Sequence, residues 1–241
     1  MYAEQKFFVG VQDTGMGGLI TNTALIEDMS DSATVHGILR GQTVGAMRGE
    51  NLAWVITHWK LKVLKRVGFA GTIKIRTWGQ KYNAAFANRD FIAYDDNDEI
   101  IAKATSTWMV INTVKNFPQR LTPELMEGFD APEMGENFPD FRFTNESYTR
   151  LEAVSTTYFT VNRFMADYNR HVHNSAYLAI ALEALPENLD DSSFDNVEIT
   201  YKKEIKPSQR VRLDYCRDGD THYVLIYSED GNTLHTVIKL W

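Results

Sequence analysis

The sequence predicts an α+β protein built as two tandem units, each a central helix wrapped by a curved antiparallel sheet. Three observations carry that prediction. Apolar residues recur at helical spacing once in each half. Each such segment is followed by alternating, strand-like runs bounded by turn residues. The order of helix, strands and closing hairpin then occurs twice within 241 residues, which an internal duplication explains most simply.

The first unit is placed at 1–113. Gly15-Met16-Gly17-Gly18 forms a flexible turn into a helix over Leu19 to Gly37, where Leu25, Ile26, Met29 and Ala33 share a face and Gly37 supplies the stop. Trp54 to Leu64, Thr72 to Trp78 and Ala85 to Tyr94 read as strands. The turn Asp95-Asp96-Asn97-Asp98 joins the last of these to Glu99 to Asn112 as a hairpin. The second unit, at 150–241, repeats the order. Thr156 to Met165 alternates as a strand and Ser175 to Ala184 reads as a helix. Val197 to Ile205, Gln209 to Cys216, His222 to Tyr227 and Thr233 to Trp241 read as strands. Between the units, 114–149 holds Pro118, Pro123, Pro132 and Pro139 and predicts an irregular connector. Its phenylalanines, Phe117, Phe129, Phe138, Phe141 and Phe143, are expected to pack it over both units. A helix of about 15 residues cannot bury its apolar stripe alone, whereas a sheet curved around it can. That is the hot-dog arrangement, so two tandem hot-dog units are expected.

The composition narrows the function. A net charge of −7 disfavours nucleic acid and anionic membrane as partners. One cysteine, Cys216, excludes an intramolecular disulfide and a cysteine-rich metal site. No run reaches the roughly 18–20 apolar residues of a membrane span, and Met1 to Lys6 lacks the apolar core of a signal peptide. A soluble, cytoplasmic protein is the expectation. The glycines at 15, 17 and 18 are not a phosphate loop, because Ile20 stands where the third glycine belongs and no Gly-Lys-Ser/Thr is present. A G-x-S-x-G nucleophile elbow is missing as well.

The chemically pointed stretch is Asp167-Tyr168-Asn169-Arg170-His171, just before the second helix, with Glu204 at 33 positions beyond the histidine. Extended, Asp167, Asn169 and His171 would face one side; helical, Asp167 and His171 would still share a face. Two readings of the stretch stand side by side. Asp167 and Asn169 could cap the helix with His171 merely on the surface. Alternatively, carboxylates, carboxamide and imidazole could activate water and hold a developing oxyanion. His173 and Asn174 would sit at the helix start, where backbone N–H groups and the helix dipole favour negative charge. His171 and His173 lack an obvious third ligand, so no metal is expected. Glu204 is either a solvated strand charge paired with lysine or, if it faces the helix start, a base whose pKa burial would raise. Lys60, Lys62, Lys65 and Arg66 form one basic cluster, and Lys202 and Lys203 begin a second. Each is either a solvated strand edge or a dock for an acidic partner.

These residues resemble the acyl-[acyl-carrier-protein] thioesterases in their bacterial, double hot-dog form. The plant members carry Asp-x-Asn-x-His-Val-Asn-Asn before the second helix, matched here by Asp167-Tyr168-Asn169-Arg170-His171-Val172-His173-Asn174. Their Tyr-Arg-Arg-Glu-Cys stretch is matched by Tyr201-Lys202-Lys203-Glu204-Ile205. Trp54-Val55-Ile56-Thr57 and Ala104-Thr105-Ser106-Thr107-Trp108 resemble family stretches in the first half. The resemblance implies a hydrolase that releases free fatty acid from a phosphopantetheine-linked acyl group on acyl carrier protein, without cofactor or metal. It implies that Glu204 with His171 activates water, that Asn169 orients the attacking group or binds the carbonyl oxygen, and that Asp167 positions the loop or attacks. Amides near His173 and Asn174 would hold the oxyanion. The acyl tail would enter an apolar tunnel in the first unit, and Lys60, Lys62, Lys65, Arg66, Lys202 and Lys203 are the docking candidates. Ile205 stands where plant members have cysteine, which removes a thiol mechanism. An acyl-CoA thioesterase or a dehydratase is the nearer alternative and a non-catalytic acyl-binding protein the more distant one. A monomer or a homodimer is expected.

Overall fold

The structure, a computed structural model, describes residues 1–143, 148, 151–167 and 171–241. In chain order its strands are β1 (Ala3–Phe8), β2 (Leu52–Val63), β3 (Thr72–Tyr82), β4 (Ala87–Tyr94), β5 (Ile100–Asn112), β6 (Phe117–Gln119), β7 (Ala153–Thr160), β8 (Asn196–Tyr201), β9 (Arg210–Asp218), β10 (Thr221–Ser228) and β11 (Leu234–Leu240). The α-helices are α1 (Asn22–Leu39), α2 (Val44–Gly49), α3 (Pro123–Met126) and α4 (Ala176–Leu182).

The strands form one antiparallel sheet in the order β1-β3-β4-β5-β2-β8-β11-β10-β9-β7, with β6 added to β5. That order is a palindrome. If β1 to β5 are matched with β7 to β11 by their place in each unit, every strand meets its counterpart on reflection through the β2–β8 pair. The seam runs from His58 opposite Thr200 to Lys62 opposite Asn196, with Trp59 and Ile199 buried in it. One apolar core is continuous across it, taking Leu25 and Met29 from α1, Leu178 and Ile180 from α4, and alternate residues of both half-sheets.

Leu25, Ile26, Met29 and Ala33 do line the buried face of α1. Its start is capped by Thr21, whose side chain accepts from the Ala24 N–H at 3.1 Å. The stop differs from expectation: α1 passes Gly37 and ends at Leu39. The carbonyl of Gly37 takes the N–H groups of Arg40 and Gln42, and Gly41, at φ 76°, provides the left-handed turn. The second helix is shorter than the sequence pattern, seven residues from Ala176 to Leu182. So short a helix is unstable alone; buried Tyr177, Leu178, Ile180 and Ala181 tie it to the core.

Three further expectations are corrected. The run Thr156 to Met165 is not one strand: β7 starts at Ala153 and ends at Thr160, and Arg163–Met165 is a 3-10 turn. The connector is not wholly irregular, since β6, α3 and a 3-10 turn at Pro132–Met134 lie in it. Thr122 caps α3 and Pro123 occupies its first turn, where a missing N–H costs nothing. Its phenylalanines also divide. Phe129 is buried, Phe141 lies under Lys60 with Nζ 3.9 Å from the ring centroid, and Phe143 stacks on His58, but Phe117 is exposed. Finally, Val197 to Ile205 is not a single strand, because β8 ends at Tyr201.

Candidate active site

That early end of β8 builds the site. The N–H groups of Lys202 and Lys203 both donate to the His235 carbonyl, at 2.8 and 3.1 Å. Two residues thus oppose one, as in a β-bulge, and the chain leaves the sheet. Ile205 then turns inward and is buried. Its N–H donates to the Tyr177 hydroxyl at 2.9 Å, and its carbonyl accepts from Val172 N–H at 3.0 Å. With Ile205 pinned on both sides, Glu204 at the bend is presented to the loop before α4, where its Oε2 lies 3.2 Å from His171 Nε2. Strand alternation could not have predicted this, since the chain leaves the strand at Tyr201.

The loop carrying His171 is closed on itself. Asp167 N–H donates to the His171 carbonyl at 2.8 Å, and His171 N–H donates to Asp167 Oδ1 at 3.2 Å. Ala166 and Val172 form an antiparallel bridge across its base. The structure therefore brings Asp167, His171 and Glu204 together. Asn169, expected beside them, lies outside the described residues. His173 turns aside, its Nδ1 at 2.8 Å from Ser175 Oγ. The Asn174 carbonyl accepts from the Tyr201 hydroxyl at 2.7 Å, and its carboxamide oxygen lies 3.3 Å from Ser30 Oγ on α1. Tyr201 and Tyr177, packed edge to face at 5.2 Å, thus brace both sides of the site. Burial pushes the Tyr177 hydroxyl up to about 12, with the Glu204 and Asp167 charges adding to the effect, so it remains a neutral hydrogen-bonding group. Sequence reading gave these tyrosines no role, although both sit within the stretches it singled out.

Of the two readings of Glu204, the structure gives neither whole: it faces the loop before α4 but is not buried. Its side chain is 51% exposed and that of His171 39%, so the pair opens directly to water. Cys216 lies elsewhere, buried against Tyr223 and Leu225. Burial, with the Asp214 charge, raises its thiol pKa, which makes it a poor nucleophile.

The first unit contains the same loop with different residues. Thr14 and Ile20 form the bridge that Ala166 and Val172 form in the second unit. Gly15 N–H donates to the Leu19 carbonyl as Asp167 N–H does to His171, and Ile20 N–H donates to Val67 as Val172 N–H does to Ile205. Counting along these matched bonds, Gly15 stands for Asp167, Leu19 for His171 and Arg66 for Glu204. The Asp167, His171 and Glu204 side chains thus have no counterparts in the first loop.

The basic clusters do not form one patch. Lys60 pairs with Glu198 at 2.5 Å, and Lys65 bridges Asp95 and Glu99. Arg66 is spent internally on the Ile20 and Phe194 carbonyls and Asn22. Lys62, Lys202 and Lys203 are exposed. Lys62 sits at the far end of the seam, roughly 20 Å from Lys202 at strand rise, whereas Lys202 and Lys203 adjoin Glu204.

A cavity of about 180 Å³ lies in the first unit, between the C-terminal half of α1, α2, and β2. Ala33, Gly37, Met47, Leu52 and Trp54 line it. It is partly polar, with Asn88 and Arg89 in its wall.

Comparison with known proteins agrees with this architecture. The family model described as the acyl-ACP thioesterase N-terminal domain matches residues 2–129, and that of the C-terminal domain matches 148–241. The chain is 24% identical over 235 residues to the oleoyl-acyl carrier protein thioesterase of Coriandrum sativum, covering 89% of this chain and 58% of that protein. It is 26% identical over 222 residues to oleoyl-acyl carrier protein thioesterase 2 of Arabidopsis thaliana, covering 83% and 59%. The chain thus spans about three-fifths of the length of these curated relatives. Its fold matches an acyl-ACP thioesterase from Bacteroides thetaiotaomicron with a TM-score of 0.86 at 19% identity, covering 99% of this chain and 96% of that one. It also matches the 12:0-ACP thioesterase from Umbellularia californica with a TM-score of 0.82 at 17% identity, with the same coverages.

Proposed function

Because this chain belongs to the acyl-ACP thioesterase family, we propose that it hydrolyses the thioester joining a fatty acyl group to the phosphopantetheine arm of acyl carrier protein. The observation that carries the reading is the His171–Glu204 pair, 3.2 Å apart and open to water at the start of α4.

The imidazole keeps its Nε2 proton in a hydrogen bond to the Glu204 carboxylate, which leaves the Nδ1 lone pair to take a proton from water, forming the imidazolium, as that water adds to the thioester carbonyl. The tetrahedral adduct collapses by breaking the carbon–sulfur bond. The imidazolium returns its proton to the departing thiolate, so acid and thiol are released and the enzyme is regenerated. Asp167 acts by holding the His171 loop: its Oδ1 is occupied by the His171 amide, which blunts it as a nucleophile. Asn169, assigned on sequence alone, orients the attacking water or binds the carbonyl oxygen. The His173 amide is taken by the Met165 carbonyl, which leaves the Asn174 amide as the proposed donor to the developing oxyanion. Ser30 links Asn174 to α1, so the acyl tail runs along α1 into the cavity of the first unit. A lone, buried cysteine fits a reducing compartment, and the cytoplasm is the proposed location.

Glu204→Gln and His171→Ala test the assignment. Each should remain folded while thioester hydrolysis falls by about 10²–10⁴-fold. Near-normal turnover in both would remove the site. Hydration of an enoyl thioester, followed by absorbance, would instead favour a dehydratase.

A further inference from the structure

The cavity under α1 contains a charge that thioester hydrolysis does not use. Arg89, on β4, lines it. Its Nη1 lies 3.1 Å from both His36 Nδ1 and Thr77 Oγ1, and its guanidinium sits over the Phe129 ring, 5.3 Å from the centroid. All three neighbours are neutral. Burial and the nearby arginines push His36 down to about 3, so its Nδ1 accepts from Arg89 and carries no charge. Burial alone lowers Arg89, to about 10, which leaves it protonated at neutral pH.

Among the described residues no carboxylate pairs with Arg89, and none of those lining the cavity is Asp or Glu. In a chain of net charge −7 this is a marked local reversal. Arg89 is half-buried, and a partly buried cation without a counter-ion carries a desolvation penalty. Among the described residues only Nη1 makes a hydrogen bond, so Nε and Nη2 keep donors. Ala33, Met47 and Leu52 give the cavity an aliphatic side, with Gln42 and Asn88 among its polar lining. Ser30 touches Asn174 at the reaction site, and His36 lies six residues further along α1, about 9 Å at helical rise.

We propose that this cavity receives the carboxylate-terminated end of a medium-length aliphatic chain, with the Arg89 guanidinium pairing the carboxylate and the aliphatic wall enclosing the methylenes. The same chemistry could arrive in two ways, as the ω-carboxyl of an acyl thioester or as released free acid. Only that question rests on the thioesterase reading.

The test is calorimetric titration of the full chain with octanedioate, octanoate and, as the uncharged control, 1-octanol. Arg89→Met is expected to weaken both carboxylates about tenfold or more, while 1-octanol binds as well or better. Arg89→Lys, which keeps the charge but loses the planar fork, should fall between and serves if the methionine variant does not fold. Equal carboxylate binding by wild type and both variants would overturn the proposal, as would wild-type affinity for 1-octanol matching that for octanoate. Two kinetic arms then separate the sources. A wild-type preference for ω-carboxyoctanoyl over octanoyl thioester, lost in Arg89→Met, identifies a substrate end. Competitive inhibition by octanoate, lost in that variant, identifies the released acid. A protein inactive on every thioester that still binds carboxylates through Arg89 would overturn the hydrolase reading and leave this one standing.

Discussion

An exposed ion pair is worth at most about 1 kcal/mol to a fold, so His171 and Glu204 are poorly explained as stabilising residues. Asp28, on α1, is the opposite case. Burial, with the charges of Asp13, Asp31 and Glu27, pushes its carboxyl up from 3.8 to about 7. The folded chain then holds a proton that the unfolded chain has already lost, so between those two values stability falls as pH rises. Asp28→Asn removes that loss. Its melting temperature should equal the wild type's near pH 4 and exceed it increasingly up to pH 8; a gap independent of pH would show that Asp28 ionises freely. At this scale the sequence exposed the chemistry and concealed the geometry. Asp167, His171 and Glu204 were identifiable as chemistry-bearing types. That Glu204 turns toward His171 depends on two lysine amides sharing the carbonyl of His235, more than thirty positions away, and no local pattern encodes such a long-range hydrogen bond.

Among the elements, α1 and α4 show why periodicity served one helix better than the other. The buried stripe of α1 repeats over four turns and was legible from Leu25, Ile26, Met29 and Ala33. With seven residues, α4 owes its stability to packing, so its ends were not. The start of α1 is fixed by the opposite unit: Asn22 Nδ2 donates to the Asp191 carbonyl at 2.6 Å and the Phe194 carbonyl at 2.9 Å. Asp191 Oδ2 accepts the Thr23 N–H at 2.8 Å. Asn22→Ala would take the side-chain donor from the Asp191 carbonyl and one bond from Arg66, while the Phe194 carbonyl keeps its bond from Arg66. A cost of about 1–3 kcal/mol for each group left unsatisfied makes it among the more damaging single changes to α1. A denaturant midpoint close to the wild type's would mean that water replaces the asparagine.

On the scale of the whole molecule, charge rather than shape governs how a carrier protein would approach. At −7 overall the chain repels an acidic partner, while Lys202 and Lys203 stand beside Glu204. Docking there should be steered over short range and screened by salt. KM for an acyl-carrier substrate is therefore expected to rise several-fold between low and physiological ionic strength, with kcat nearly constant. A KM indifferent to salt would point to coenzyme A thioesters. The duplication behind this architecture was legible in the closing hairpins. The β2–β8 seam was not, since nothing local in Trp59 or Ile199 says which strand lies alongside.

The palindromic strand order has one more consequence. Were the two halves separate copies of one polypeptide, the dyad would oblige both loops to carry the same side chains, so any pocket gained at one would displace chemistry at the other. Joining them in a single chain lifts that obligation. Arg66 can then tie the halves together at the position where Glu204 is proposed to serve reaction, and each half is free to specialise without a compromise imposed by its twin.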